Sequence, residues 1–139
     1  MNILYSTTAT VTGGRAGHAR SVDGSLGVDL TVPKELGGDG KFGTNPEQMF
    51  AAGYAACFQS ALRHVASQQK KNITDSSITA TVGIGPREAG GFGLKVDMDV
   101  SLKGLSKVEA EELVNLVHTV VCPYSNAVRG NVDVNIRVV

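Results

Sequence analysis

The two cysteines are the residues of this chain with the widest possible chemistry. Cys57 lies in a run of small and apolar residues, and Cys122 stands directly before a proline. The simplest interpretation is that each thiol is a small buried hydrophobe, because free cysteine is among the most buried residue types. A structural disulfide is disfavoured in a reducing compartment, although a catalytic disulfide is not. A metal site and a redox pair are the remaining interpretations.

The metal interpretation combines the cysteines with two histidines. His118 precedes Cys122 by four residues, and His64 follows Cys57 by seven, and both spacings place side chains on one face of a helix. Two cysteines and two histidines would satisfy zinc. However, the sequence has no C-x-x-C motif, and Pro123 disturbs the helix where the spacing matters. A zinc-binding structural module is therefore an alternative rather than the main hypothesis.

The redox interpretation requires that one thiol be ionised. An unperturbed thiol with a pKa of about 8.5 is only about 3% thiolate at neutral pH, and the thiolate is the nucleophile. Arg15 is the best candidate cation, because Gly13, Gly14 and Gly17 around it let its backbone approach another element closely. A guanidinium stays charged when it is desolvated. Beside Cys57 it would lower the thiol pKa by about 1–3 units.

Glu47 is the residue that would hold the Arg15 guanidinium with both carboxylate oxygens. It also has capping-box spacing with Thr44 at the start of a predicted helix. In a straight helix Glu47 and Cys57 would be about 15 Å apart, on faces roughly 80° from each other. A site containing both therefore requires a helix break near Gly53 or a glutamate from a partner chain.

The strands that must position these residues are indicated by alternation of apolar and polar side chains and by β-branched residues. An Asp23-Gly24 pair predicts a hairpin turn within the first thirty residues. The predicted strands cover residues 3–11, 28–32, 78–84, 94–100 and 132–138.

Two main helices are predicted between these strands. The first runs from about 44 to 69 and has a stripe of small residues, which suggests that it is central. That stripe consists of Ala52, Gly53, Ala56, Cys57, Ser60 and Ala61. The second follows a capping box formed by Ser106 and Glu109. Cys122 should lie at an element boundary because a proline follows it, before a short helix that Gly130 closes.

The order of strands, helix, strands, helix and strand predicts an α+β domain with a largely antiparallel sheet. The length of 139 residues fits a single domain, 1–139. A dimer whose sheets enclose paired helices would cover the small apolar stripe.

Composition excludes several other classes. Hydrophobic residues make up 42% and charged residues 19%, as in ordinary globular proteins. The 13 basic and 13 acidic residues balance, which argues against a nucleic-acid partner. The apolar runs are too short for a membrane span, and the first residues lack the features of a signal peptide. We therefore expect a cytoplasmic protein with no membrane partner.

Four segments together resemble the Ohr branch of the OsmC/Ohr family, the organic hydroperoxide resistance proteins. The first two resemble the signatures around the two cysteines, the third the arginine loop and the fourth the hairpin. They are TNPEQMFAAGYAACF (44–58), VCPYSNAVRGNV (121–132), TGGR (12–15) and VGIGP (82–86). The resemblance extends in order over nearly the whole chain.

The resemblance implies a thiol-dependent peroxidase that reduces alkyl or lipid hydroperoxides. By it, Cys57 is the peroxidatic cysteine, Cys122 is the resolving cysteine that closes a disulfide, and Arg15 and Glu47 are the charged pair at the reactive thiol. A lipoyl-type dithiol is the implied reductant, and no metal, flavin or haem cofactor is implied. The implied fold has antiparallel sheets packed around a long central helix in an intertwined homodimer, with sites at the subunit interface.

Two departures from the family pattern stand near these residues. The interval from His118 to Cys122 is one residue longer than the family pattern, and Ala16 follows Arg15 where a more polar residue is common. In this peroxidase interpretation no role is assigned to His18, His64 or His118. An OsmC-branch peroxidase with a broader peroxide preference is the nearest alternative function.

Overall fold

The computed structural model describes all 139 residues and contains six strands and three α-helices. In chain order they are β1 (Ala9–Thr12), β2 (His18–Ser21), β3 (Gly27–Asp29), α1 (Pro46–Gln68), β4 (Asp75–Pro86), β5 (Phe92–Lys103), α2 (Lys107–Leu116), α3 (Pro123–Val128) and β6 (Asp133–Val138). A π-helical turn, Val117–Val121, follows α2. The chain forms two compact units, Met1–Met49 and Phe50–Val139. None of the helices combines the length and the apolar content needed to cross a bilayer.

The first unit contains an antiparallel sheet in the order β1-β2-β3. The predicted strand over residues 3–11 is too long, because β1 begins only at Ala9, where its pairing with Ser21 starts. β2 was not predicted, since Ala19 is its one buried apolar residue and the alternation is weak. Of the predicted strand over 28–32, only residues 28 and 29 lie in β3. Beyond β3, Leu30 forms an isolated bridge with Thr44. The turn between β2 and β3 is confirmed at Asp23-Gly24, with Gly24 at a φ of 74°.

The second unit contains a sheet in the order β4-β5-β6. The predicted hairpin is confirmed, and it pairs β4 with β5 along their full lengths, from Asp75 opposite Lys103 to Pro86 opposite Phe92. β6 pairs with β5 in parallel, which the expectation of a largely antiparallel sheet did not include. The parallel pairing follows from α2 and α3, which form the long crossover that a parallel connection requires.

The main core lies in the second unit and joins α1 to the sheet and to α2. Its members are large apolar side chains of α1, the inward-facing residues of β5 and the apolar side of α2. They include Tyr54, Phe58, Leu62 and Val65, then Val96, Met98 and Val100, then Leu113 and Val117. The small stripe of α1 is only partly covered within the single chain, where Ala61 is buried and Gly53 and Cys57 are partly buried. Ala52, Ala56 and Ser60 are exposed, because the larger residues of α1 face the sheet.

The ends of the helices differ in how they are capped. At α2 the predicted capping box is present, with Ser106 accepting from the Glu109 N–H and Glu109 accepting from the Ser106 N–H. At α1 the predicted capping box of Thr44 and Glu47 is absent. Instead the Asn45 side chain accepts a hydrogen bond of 2.9 Å from the Gln48 N–H. Asn45 is therefore the N-cap, and the Glu47 carboxylate is free for another partner.

Candidate active site

The two thiols lie together in the second unit. Cys57 is near the middle of α1, Cys122 precedes α3, and their sulfurs are 3.8 Å apart although 65 residues separate them in sequence. Cys122 is fully buried, whereas Cys57 is partly accessible. A disulfide has an S–S length of about 2.05 Å. A movement of about 2 Å would therefore bring the two sulfurs to bonding distance. Of the two thiols, Cys57 is the accessible one.

The position of Cys122 follows from the residues on either side of it. Pro123 starts α3, and the residue before a proline is held in extended geometry, here with a φ of −69° and a ψ of 119°. On the other side, the Cys122 N–H donates to the Val117 carbonyl over 2.9 Å, which closes the π-helical turn. A π-turn accommodates one more residue than an α-turn. The extra residue of this turn lies between His118 and Cys122.

The surroundings of the Cys57 sulfur act on its ionisation in opposite directions. Burial raises the pKa of the Cys57 thiol, the backbone N–H of Tyr124 lowers it by donating to the sulfur, and Cys122 raises it further. All three causes belong to the unit Phe50–Val139. The lowered pKa expected for a reactive Cys57 is not what this unit produces by itself, because the causes include no cation.

Arg15 and Glu47 form an ion pair within the first unit. The guanidinium donates two hydrogen bonds, of 2.8 Å and 2.6 Å, one to each carboxylate oxygen of Glu47. Glu47 is the more buried partner, with 13% of its side chain exposed against 36% for Arg15. The guanidinium lowers the pKa of Glu47 against the opposing effect of burial, and the carboxylate raises that of Arg15. The pair is therefore charged at neutral pH.

Glycines shape the turn that carries Arg15. Arg15 lies in a short 3-10 turn, Gly14–Ala16, that Gly13 precedes with a φ of 73°. A Cβ at Gly17 would lie 1.7 Å from the Thr12 carbonyl oxygen, so no larger residue fits there. The turn thus requires glycine on both sides of the arginine, as close backbone packing predicts.

Aromatic side chains surround the Cys57 turn of α1. The Tyr124 ring lies 5.7 Å from that of Tyr54 and 6.2 Å from that of Phe50, measured between centroids. It also covers Gly53, where an added Cβ would lie 3.2 Å from the Tyr124 hydroxyl. Tyr124 remains 40% exposed. The approach to Cys57 is therefore bordered by apolar surface.

The zinc alternative finds no support in the arrangement of its ligands. The structure has no group of three or more His, Cys, Asp and Glu side chains placed to hold a metal ion. His64 is exposed on α1, and His118 binds Ser125 through Nδ1. The four residues of the alternative, Cys57, His64, His118 and Cys122, thus do not form one site.

Tyr124 and Ser125 are possible hydrogen-bond donors near Cys122 from the sequence, but the sequence did not indicate Tyr54 or the main-chain N–H of Tyr124 as partners in this region. The Tyr124 N–H reaches Cys57, and the Tyr54 hydroxyl reaches Ser125 over 2.8 Å. The sequence does contain one signal for this contact: Tyr54 places a polar hydroxyl group in an apolar stretch of α1, and a buried tyrosine hydroxyl needs a hydrogen-bond partner. The third histidine without a role, His18, contacts Asp29 over 2.8 Å on the exposed side of the first sheet.

Known proteins resemble this chain over most of its length. Residues 37–137 match the model of the family described as OsmC-like protein. The chain is 51% identical, over 135 residues, to an organic hydroperoxide resistance protein of Xanthomonas axonopodis pv. citri, covering 96% of this chain and 94% of that one. The organic hydroperoxide resistance protein OhrB of Bacillus subtilis is 49% identical over 135 residues, 96% of this chain and 97% of its own.

A solved structure is similar to the same extent. The crystal structure of an organic hydroperoxide resistance protein OsmC from Legionella pneumophila matches with a TM-score of 0.94 and 52% sequence identity. The match covers 99% of this chain and 98% of that chain. The mixed α and β architecture with two small sheets is thus the architecture of those proteins.

Proposed function

The chain belongs to the OsmC-like family of organic hydroperoxide resistance proteins, and from that premise we propose that it is a thiol-dependent peroxidase for organic hydroperoxides. The observation that carries the proposal is the 3.8 Å distance between the sulfurs of Cys57 and Cys122. One thiol is accessible and the other is buried behind it. That arrangement suits an attacking thiol and a thiol that closes a disulfide.

In the first step the Cys57 thiolate attacks the distal oxygen of the hydroperoxide. An S–O bond forms, the O–O bond breaks, and the alkoxide leaves as an alcohol after taking up one proton. The sulfur is oxidised to a sulfenic acid and the peroxide is reduced. Cys57 performs this step because it is the accessible member of the pair.

In the second step Cys122 attacks the sulfenic sulfur of Cys57. The S–S bond forms while the S–O bond breaks, and the hydroxyl leaves with the Cys122 thiol proton as water. The oxidation state gained in the first step is then held in an intramolecular disulfide. A dithiol of the lipoyl type reopens it by exchange, passing its two thiol hydrogens to Cys57 and Cys122 and becoming a disulfide itself.

Arg15 and Glu47 are proposed as the pair that favours the thiolate form of Cys57. A guanidinium near the sulfur would counteract the burial that raises the thiol pKa. The Glu47 carboxylate, bound at both oxygens, would hold the guanidinium in one orientation. α1 continues without a break past Gly53, which leaves the partner chain as the expected source of a glutamate at this thiol. We therefore propose an intertwined homodimer with its sites at the subunit interface, in the cytoplasm.

The substrate class follows from the surface around Cys57. Phe50 and Tyr124 border the approach to this thiol. Burial of a carbon tail there would contribute about 0.8 kcal/mol per methylene group. Alkyl or lipid hydroperoxides are thus favoured over hydrogen peroxide, which has no tail to bury.

A mass measurement tests the proposal. Reduced protein is treated with one equivalent of tert-butyl hydroperoxide and its intact mass is recorded before and after addition of a lipoyl dithiol. We expect the loss of two hydrogens and their return. An unchanged mass with both thiols still free would exclude the peroxidase.

A further inference from the structure

Ser125 joins three elements of the second unit through its hydroxyl group. It is fully buried, and its Oγ lies 2.8 Å from the Tyr54 hydroxyl and 3.0 Å from His118 Nδ1. Tyr54 belongs to α1, His118 to the π-helical turn and Ser125 to α3. A serine hydroxyl has one donor and two acceptor sites, so Ser125 can bind both neighbours at once.

These three residues lie beside the two thiols. Tyr54 precedes Cys57 by one helical turn on α1, and Ser125 follows Cys122 by one turn on α3. The hydrogen bond between Tyr54 and Ser125 therefore connects the same two segments as the 3.8 Å contact between the sulfurs. A buried hydroxyl that loses its partner keeps the full cost of its removal from water. This bond thus opposes any separation of the segment carrying Cys122 from the helix carrying Cys57.

The direction of the hydrogen bonds follows from the state of His118. Burial lowers the pKa of His118, and Arg129 lowers it further, which favours the neutral ring. If Nδ1 accepts from Ser125, Ser125 accepts from Tyr54 and all three groups are satisfied. If Nδ1 donates instead, one hydroxyl proton loses its acceptor: Ser125 either accepts from both neighbours, which leaves its own proton unpaired, or donates to Tyr54, which leaves the Tyr54 proton unpaired. The first direction is therefore the stable one.

Resting on the peroxidase function proposed above, we propose that Ser125, bound by Tyr54 and neutral His118, is a positioning residue for the closure of the Cys57–Cys122 disulfide. It holds Cys122 where a small movement brings its sulfur to the Cys57 sulfenic acid. It does not contact the peroxide, so it affects the second step and not the first. We call Tyr54, Ser125 and His118 the positioning chain.

Protonation of His118 turns Nδ1 into a donor and removes the acceptor of the Ser125 proton, and the charged groups around the imidazole affect that protonation. Arg129, which follows α3, donates to the His118 carbonyl over 2.6 Å. α2 and β6 form a groove with His118 to which they contribute Lys107, Glu111 and Arg137. α1 contributes the Phe58 ring, 6.5 Å from the imidazole between centroids, and the Tyr54 hydroxyl, which reaches His118 through Ser125. Lys107 pairs with Glu111 and Arg137 pairs with Asp99, which leaves Arg129 as the cation that favours the neutral ring.

The test separates the two chemical steps. Tyr54→Phe and Ser125→Ala are each treated with one equivalent of tert-butyl hydroperoxide in the presence of dimedone, which traps sulfenic acid. Intact mass then gives the ratio of dimedone adduct to disulfide. We expect this ratio to rise about threefold to tenfold, as the loss of one net hydrogen bond predicts, while the rate of peroxide consumption in the first turnover stays the same. Ser67→Ala on the exposed side of α1 is the matched control.

Two variants of His118 distinguish positioning from general stability. Asn has an amide oxygen near the place of Nδ1 and does not titrate, whereas Phe keeps a ring without an acceptor. At neutral pH we expect His118→Asn to close the disulfide as fast as the parent protein. In acid, disulfide closure should slow in the parent, where His118 becomes protonated, but not in His118→Asn. His118→Phe should resemble Ser125→Ala, and His64→Asn serves as the exposed control.

The outcomes separate this proposal from the function on which it rests. If the parent protein forms neither adduct nor disulfide, the peroxidase function fails. If the parent closes its disulfide and Ser125→Ala or Tyr54→Phe closes it equally fast, the positioning chain is overturned. Equal closure by His118→Asn and His118→Phe would also overturn it. Should Ser125→Ala not fold, Tyr54→Phe decides between the same two results.

Discussion

Both terminal nitrogens of the Arg15 guanidinium bind the Glu47 carboxylate, at 2.8 Å and 2.6 Å, across 32 residues of sequence. The pair joins a glycine-rich turn to the first turn of α1. Two parallel hydrogen bonds of this kind fix the plane of the guanidinium as well as its position. The Arg15–Glu47 pair is therefore suited to holding the positively charged guanidinium in one orientation.

Replacement of Arg15 should change the ionisation of Cys57. In a Cys122→Ser background, Arg15→Ala is expected to raise the midpoint of the pH profile of Cys57 alkylation by about 1–3 units, because it removes the cation proposed to favour the thiolate. The rate of reaction with iodoacetamide gives the profile. Arg137→Ala removes a similar bidentate pair with Asp99 on the second sheet and is the matched control. Identical profiles for Arg15→Ala and the parent would show that Arg15 does not act on the thiol.

The Arg15–Glu47 pair should also make stability depend on pH. Arg15 lowers the pKa of Glu47 below its ordinary value of 4.5, so the folded state binds this proton less readily than the unfolded state. The pair then stabilises the fold above the unfolded pKa, and this contribution is lost as the pH falls through the lower folded pKa. Because Arg15 is 36% exposed, we expect only about 1 kcal/mol.

Urea unfolding between neutral and acidic pH measures that contribution. Glu47→Gln should be less stable than the parent at pH 7, and the two should converge in acid. Asp99→Asn, which breaks an exposed ion pair on the second sheet, is the control. A constant difference between Glu47→Gln and the parent at every pH would contradict the assignment.

The two cysteines should have different effects when replaced. Cys57→Ser removes the attacking sulfur, so peroxide consumption should fall to the rate of the buffer. Cys122→Ser keeps that sulfur but cannot close the disulfide, so the protein should consume one equivalent and then accumulate sulfenic acid or intermolecular adducts. Peroxide assays and dimedone trapping follow the two behaviours. Sustained turnover by Cys57→Ser would place the attack on another residue.

Much of the second unit could be predicted from the sequence because its signals are local. The alternation around Ile78 and Leu94 predicts the hairpin, and Ser106 with Glu109 predicts the start of α2. Pro123 predicts the boundary at Cys122. These features depend on neighbouring residues and are not overridden by distant ones.

The errors concern features that distant residues decide. Glu47 has capping-box spacing, but Arg15, from another part of the chain, takes its carboxylate, and Asn45 caps the helix instead. The parallel partner of β6 depends on the crossover through α2 and α3, which alternation alone does not reveal. The hydroxyl contact between Tyr54 and Ser125 spans 71 residues and has no sequence period.

Substrate preference distinguishes the two family branches considered for this chain. With an apolar approach to Cys57, burial of only two methylene equivalents would favour cumene hydroperoxide over hydrogen peroxide by about tenfold or more in kcat/KM. Steady-state rates with a lipoyl dithiol as reductant measure the ratio. Comparable values for both peroxides would favour the OsmC-branch alternative with its broader preference.

Replacement of Gly53 by alanine should affect both the stability of α1 and the ionisation of the Cys57 thiol. Alanine in a helix interior is about 1 kcal/mol more favourable than glycine, but a Cβ at position 53 would lie 3.2 Å from the Tyr124 hydroxyl and 3.5 Å from its ring. Because Tyr124 is 40% exposed, its ring can shift outward. That shift would misalign the Tyr124 N–H that donates to the Cys57 sulfur and lowers its pKa.

We therefore expect Gly53→Ala to gain less stability than the propensity difference predicts and to alkylate Cys57 only at higher pH. Ala56→Gly, at an exposed position of the same helix, measures the propensity difference without touching Tyr124. Thermal unfolding and the iodoacetamide profile are recorded for both. If Gly53→Ala gains as much stability as Ala56→Gly loses, and the pH profile of Cys57 alkylation is unchanged, then the position of the Tyr124 ring does not depend on Gly53. If the gain is smaller and the profile moves to higher pH, glycine at this position favours the thiolate at the expense of the helix.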